Sequence, residues 1–175
     1  MPSRRLLFLS LAAAELAGCN QHSTRPSGSS DHIAAGEIGS PLPYFSVKDL
    51  AGREISSAGL RGKVVLIDFW ATWCEPCKRE MPGYQRLADR YASRGFVVVG
   101  LKFDTMMDTE DPIRFAQRIG VRYPLTVATD VLKQKFGGIE GLPTTMIYDR
   151  TGILRNKMIG FEYTEVIEAE VERLL

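Results

Sequence analysis

Apolar and polar positions alternate with two different periods along this chain, and the periods change at well-marked punctuation. Residues 64–70 form a run of β-branched, aliphatic and aromatic side chains broken only by Asp68, as expected of a central strand covered on both faces. After Cys74-Glu75-Pro76-Cys77 the apolar residues recur three and four positions apart, at Met81, Tyr84, Leu87, Ala88 and Tyr91, which predicts a helix kinked at Pro82 and finished by Gly95. Residues 96–103 read as a second buried strand. Strand, helix and strand in that order predict a parallel crossover.

The flanking segments complete the layers. Residues 43–50 and 54–56 read as short strands joined through Ala51-Gly52-Arg53, and residues 144–148 and 153–159 as a hairpin joined through Asp149-Arg150-Thr151-Gly152. Asp111-Pro112 supplies a cap and a first helical position for a helix reaching Gly120. A short strand at 125–128 and a short helix at 131–136 follow, and residues 164–175 close the chain as an amphipathic helix with Val166, Ile167, Val171, Leu174 and Leu175 on its apolar side. These elements sum to an α/β fold, a mixed central sheet flanked by helices on both faces, in one domain over residues 37–175.

The N-terminal residues follow a different logic. Arg4 and Arg5 precede an apolar run too short to span a bilayer, and the run gives way to Leu16-Ala17-Gly18-Cys19. This pattern predicts a removable signal over residues 1–18 and resembles the bacterial lipoprotein box, in which the cysteine, here Cys19, becomes the lipidated first residue. Glu15 departs from that pattern, and Ser3-Arg4-Arg5 faintly resembles a twin-arginine signal, so the export route stays open. Residues 19–36 then turn to Ser, Gly, Pro, Thr and Asn, a flexible tether of roughly 20 to 25 Å. The two histidines, His22 and His32, fall in this tether.

A formal net charge of +1 offers no broad field to gather nucleic acid, so protein partners or small ligands fit better. Three cysteines are too few for a disulfide scaffold. Zinc would need two further Cys or His ligands that the domain lacks, and a structural disulfide closing so small a loop stabilises little. A cysteine at a helix start instead gains from the free N–H groups and partial positive charge there, which favour its thiolate. A second cysteine one turn on can attack the resulting mixed disulfide and release the substrate. Cys74 is therefore expected as the exposed nucleophile and Cys77 as the buried resolving thiol, with no metal or other cofactor.

The segment Asp68-Phe69-Trp70-Ala71-Thr72-Trp73-Cys74-Glu75-Pro76-Cys77-Lys78 resembles the active-site segment of the thioredoxin superfamily, with Pro82 five residues past the second cysteine. Gly141-Leu142-Pro143-Thr144-Thr145 resembles its cis-proline loop. The leading hairpin, Cys-Glu-Pro-Cys, Glu80 and the extra strand and helix between Asp104 and Asp130 are similar to the TlpA/ResA branch over residues 37–175. The resemblance implies a reductase of protein disulfides, such as those of apocytochrome c or of copper-site assembly proteins, fed by a membrane electron donor of the DsbD or CcdA type. It also implies substrate contacts at Trp73, Glu75, Pro76, Leu142, Pro143 and Thr144, in a lipid-anchored protein of the bacterial cell envelope.

Two carboxyls are candidates for moving the proton of Cys77. Glu80 lies three residues beyond it on nearly the same helical face, and Asp68 lies within the buried strand. A buried carboxyl without a cation holds its proton to higher pH. Lys102, on the adjoining strand, could instead pair with Asp68 and leave Glu80 as the main acceptor. Asp104, Asp108, Glu110 and Asp111 lack calcium-loop spacing and read as a solvated connection. A peroxiredoxin is the nearest rival, yet Thr72 stands only two positions before Cys74 and no proline lies between Pro43 and Pro76. A copper carrier would lack its histidine, leaving Met106, Met107 and Met146 as weak soft donors.

Overall fold

The computed structural model describes residues 33–108 and 110–175; Cys19, His22 and His32, with the signal segment and most of the tether, lie outside the described residues. Strand β1 (Ser46–Lys48) pairs antiparallel with β2 (Glu54–Ser56) in a separate two-stranded ribbon. The main sheet comprises β3 (Val64–Trp70), β4 (Phe96–Lys102), β5 (Leu125–Val127), β6 (Thr144–Tyr148) and β7 (Leu154–Ile159) in the order β5-β4-β3-β6-β7. β3, β4 and β5 are parallel, whereas β6 pairs antiparallel with both β3 and β7. The sheet is mixed because α1 (Glu75–Tyr91) makes a crossover between β3 and β4, while a tight turn joins β6 to β7.

All seven residues of β3 are buried, which explains why its sequence lacks the alternation of a half-solvated strand. Val64, Leu66 and Trp70 face a core built with Met81, Tyr84 and Leu87 of α1, Phe115 of α2 (Pro112–Arg118), and Ile167 and Val171 of α4 (Thr164–Leu174). Val65, Ile67 and Phe69 face the opposite core, against Phe45 just before β1, Ile55 of β2 and Leu132 of α3 (Asp130–Lys135). Trp70 stacks on Phe115 with ring centroids 5.1 Å apart. Full burial of such side chains stabilises by roughly 1.5–3 kcal/mol each.

The helix starts follow the expected chemistry. The Asp111 carboxylate accepts from the N–H groups of Ile113 and Arg114, and Pro112 needs no partner at the first helical position. Helix α1 runs through Pro82 to Tyr91. Gly83 of α1 admits α4, since a Cβ there would lie 2.1 Å from Thr164 Oγ1. The apolar stripe of α4 is narrower than its sequence pattern predicts: Ile167 and Val171 are buried, but Val166 is exposed. One face of this last helix meets the core, and Val166 points off it.

Candidate active site

Cys74 caps the N-terminus of α1, where its Sγ accepts the Cys77 N–H at 3.3 Å and Pro76 occupies the first turn. The two sulfurs are joined in a disulfide, with Cα atoms 5.4 Å apart. This corrects one expectation: Cys74 is not exposed but 3% accessible, against 0% for Cys77. Its sulfur turns back over the first helical turn and joins the core containing Trp70 and Met81. Trp73 and Glu75, on either side of Cys74 in the chain, are exposed, and Pro76 is half-buried.

The register of the sheet brings the proline loop to the same end. Phe69 pairs with Thr144 across β3 and β6, so Pro143 lies beside the turn that leads from β3 into Cys74. The Leu142–Pro143 peptide bond is cis. The Thr144 hydroxyl donates to Gly141 O at 2.7 Å, and Pro143 O accepts from Gly160 N–H at 2.8 Å. Leu142 is half-buried, and Pro143 and Thr144 are buried.

Both candidate carboxyls lie inside the protein on the α1 side of the sheet. By the period of two, Asp68 shares the face of Leu66 and Trp70, and among the described residues only the Tyr123 hydroxyl, 3.4 Å from Oδ2, donates to it. Burial pushes its pKa up to about 7, partly offset by that hydroxyl. Glu80 is 1% accessible; its Oε2 accepts from Glu162 N–H at 3.3 Å. Burial, and then the neighbouring charge of Asp68, push Glu80 up to about 8. Among the described residues Asp68 Oδ1 and Glu80 Oε1 have no hydrogen-bond partner. Burial also holds the Tyr84 and Tyr123 hydroxyls protonated well above the usual tyrosine range. Two carboxyls able to gain or lose a proton near neutral pH are thus buried on the side of the sheet that carries the Cys74–Cys77 disulfide.

Lys102 does not pair with Asp68. Its ammonium lies 2.5 Å from Asp108 Oδ2 and 3.3 Å from Asp104 Oδ1, and it donates to Phe103 O at 3.1 Å. Asp68 stands opposite Gly100 in the register, two residues before Lys102, where a Cβ would meet Leu125 Cδ2 at 2.4 Å and Trp70 Nε1 at 2.9 Å. The reading of the acidic segment as wholly solvated is also corrected. Asp108 is largely buried, taking hydrogen bonds from Lys102, from the Thr72 hydroxyl and from Thr105 N–H. Asp104 remains exposed, and Asp111 serves as the α2 cap.

Sequence reasoning missed Tyr123, Thr105, Asp108 and Glu162 as parts of this region, because each reaches it from a loop distant in sequence. Tyr84 carried a signal, its helical spacing, but that signal marks a core residue and not a hydroxyl that shares a hydrogen bond with the Thr145 hydroxyl. Met146 faces the core across the sheet from the cysteines, and Met106 and Met107 are exposed, so the three methionines do not converge. Among the described residues no group of three or more His, Cys, Asp or Glu side chains could hold a metal ion.

Residues 38–157 match the model of the AhpC/TSA family. Thiol-disulfide oxidoreductase ResA of Bacillus thuringiensis (strain Al Hakam) is 33% identical over 141 residues, 79% of each chain. Thioredoxin-like protein YneN of Bacillus subtilis (strain 168) is 31% identical over 135 residues, covering 77% of this chain and 78% of YneN. A thiol:disulfide interchange protein of the thioredoxin family from Chlorobium tepidum TLS superposes with a TM-score of 0.71 and 31% identity, over 80% of this chain and 99% of that one.

Proposed function

The chain belongs to the AhpC/TSA family and is a thiol-disulfide oxidoreductase; we propose that it reduces protein disulfides outside the cytoplasm while anchored to a membrane by a lipid on Cys19. The observation that carries the reductase reading is the Cys74–Cys77 disulfide at the start of α1, with Glu80 buried on the same helix and Asp68 buried in the strand before it, neither paired with a cation among the described residues.

In the reduced protein the Cys74 thiolate, favoured by the helix start, attacks one sulfur of a substrate disulfide. The first substrate sulfur leaves as a thiolate and takes up a proton. Cys77 then gives its proton to Glu80, which lies one turn further along α1, and attacks Cys74 Sγ. The second substrate thiolate leaves and the Cys74–Cys77 disulfide closes, so two electrons pass from the dithiol to the substrate. Burial first, and then the charge of Asp68 once it is ionised, hold Glu80 basic enough to accept the proton. Trp73, Glu75 and Pro76 on one side, and Leu142, Pro143 and Thr144 on the other, flank the substrate chain. A membrane electron donor of the DsbD or CcdA type restores the dithiol, and targets such as apocytochrome c or metal-site assembly proteins fit a reductase in the cell envelope.

Residues 1–18 would be removed and residues 19–36 would serve as a leash for the domain at 37–175. Among the described residues no helix is long and apolar enough to cross a membrane. The lipoprotein pathway would add the two or more acyl chains that stable anchoring needs. The Thr72 hydroxyl, bonded to Asp108, is not free to hold a peroxide, which weighs against peroxidase chemistry.

The reductase reading is tested by the potential of the Cys74–Cys77 couple, expected from roughly the glutaredoxin to the thioredoxin range, about −200 to −270 mV, or somewhat lower. A value near about −120 mV would make the protein an oxidant and overturn it. Cys77→Ser should accumulate mixed disulfides with its targets in the native host, whereas Cys74→Ser should trap none. For the anchor, Cys19→Ala should move the protein from the membrane to the soluble fraction; unchanged fractionation would remove Cys19 as the lipid site.

A further inference from the structure

Trp73 precedes the attacking cysteine and is 39% exposed, yet its ring is held by a distant loop and not by its own element. The indole N–H donates to Thr105 Oγ1 at 2.9 Å, and Met107 N–H donates to the same oxygen at 3.3 Å. Thr105 is itself pinned from below, where its N–H donates to Asp108 Oδ2 at 3.0 Å. Asp108 also accepts from the Thr72 hydroxyl and faces the Lys102 ammonium at 2.5 Å. The side chains of Lys102 and Asp108 are 3% and 12% accessible, so this ion pair lies mostly out of water. Residues 72 and 73 on one side, and 105 and 108 on the other, thus form a closed set of bonds at the edge of the dithiol.

A buried ion pair is a poor device for stability alone, because apolar side chains of similar volume do as well. It does fix geometry. An indole whose N–H is committed has its ring plane set, and a ring held in place loses little freedom when a second chain lies against it. We propose that Thr105 and Asp108 are positioning residues for disulfide exchange, holding the Trp73 ring as the wall of the substrate cleft opposite the loop at Pro143. This rests on the reading of Trp73 as a substrate contact. Thr105 supplies the hydrogen bond that orients the ring. Asp108 supplies the anchor that holds Thr105 at that distance from Cys74.

The test uses the full chain, reduced beforehand with dithiothreitol and freed of it, in single-turnover reactions with a synthetic peptide cyclised by a Cys-x-x-Cys disulfide, so that KM and kcat are the half-saturating peptide concentration and the limiting rate. Thr105→Val should raise KM for the peptide roughly fivefold, the worth of one neutral hydrogen bond, while kcat changes far less. Thr105→Ser keeps the hydroxyl and should restore the parent KM, which a purely structural role for the Thr105 methyl would not predict. Asp108→Asn should shift KM in the same direction as Thr105→Val. Trp73→Ala is measured in parallel. If it raises KM and Thr105→Val does not, the inference is overturned while the reading of Trp73 stands. If Trp73→Ala leaves KM unchanged, both fall together, and the dithiol reaction is judged separately by whether Cys74→Ser is inactive. An Asp108→Asn chain that fails to fold leaves the two Thr105 variants to decide the question.

Discussion

Asp68 and Asp149 carry the same carboxyl group, yet the fold treats them in opposite ways. Asp149, in the turn between β6 and β7, receives the Thr151 N–H at 2.9 Å, the Thr151 hydroxyl at 2.6 Å, the Ile153 N–H at 3.0 Å and Arg155 Nε at 2.6 Å. Partial burial alone would raise its pKa, but these donors outweigh burial and bring it down to about 2. Asp49 repeats the arrangement in the first hairpin, accepting from Ala51 N–H, Arg53 N–H and Arg53 Nε. Among the described residues Asp68 has one distant hydroxyl and no cation, and it stays protonated up to about pH 7. The two turn carboxylates hold chain reversals together as ions. The strand carboxyl is kept from ionising, at a cost in stability at high pH, in the place where a proton has to move.

Removing the Asp68 side of this contrast has the largest expected effect. A group whose folded pKa is raised contributes stability that is full below the ordinary value of 3.8 and is lost as pH rises through about 7. Asp68→Asn should therefore make the oxidised protein more stable at pH 8, by on the order of 4 kcal/mol, and lessen the fall of its stability between about pH 4 and 8, leaving the share that belongs to Glu80. Urea unfolding at several pH values measures this, and an unchanged pH profile would show that Asp68 is not the titrating group.

Next in size is Glu80→Gln. The fold should persist, and turnover at pH 7 should fall on the order of a hundredfold through the Cys77 step, the usual worth of general-base catalysis. In the parent, the rate of that step should rise with pH through about 8 as Glu80 ionises, and the variant should lose this inflection. Stopped-flow reduction of a model disulfide from about pH 5 to 10 separates the two, a window that spans the shifted carboxyl and thiol values. Identical curves would leave Asp68 as the proton acceptor.

On the other side of the comparison, Asp149→Ala should cost about 2 kcal/mol at pH 7, the linkage value of its lowered pKa. The sign is opposite to that of Asp68: this stabilisation is present above the ordinary value of 3.8 and is lost as pH falls toward about 2. Acid unfolding of the parent and variant should therefore converge at low pH. Smallest is Arg155→Ala, which removes one donor that is itself 45% exposed and should cost no more than about 0.5 kcal/mol. An NMR titration should show the Asp149 carboxyl moving part of the way back toward its ordinary value.

Much of this contrast is visible in the chain before folding. The turn carboxylates sit in Asp49-Leu50-Ala51-Gly52-Arg53 and Asp149-Arg150-Thr151-Gly152-Ile153, where an aspartate is within reach of N–H groups two and four residues on. Local geometry supplies their partners. Asp68 stands out as the one polar residue in an apolar strand, and Glu80 by its spacing from Cys77. Two readings of Lys102 and the acidic segment did not survive, for a common reason. Lys102 follows Gly100 on a strand next to Asp68, which suggested pairing, but Asp108 returns over the end of β4 and takes the ammonium instead. A loop's path back over a strand end leaves no trace in periodicity or spacing.

What the sequence determined by itself is what depends on neighbours within a turn or two. The strand and helix periods, the cap at Asp111, the cysteine pair one turn apart and the hairpin turns are all of this kind. The tertiary structure alone decided which groups lie out of water and who meets them there. It covered Cys74, set Tyr123 against Asp68 and Glu162 against Glu80, and joined Thr72 to Asp108 across 36 residues. The physical reason is that hydrogen-bond geometry along the backbone is short-ranged, whereas desolvation and pairing of charges depend on every chain segment that packs around a site.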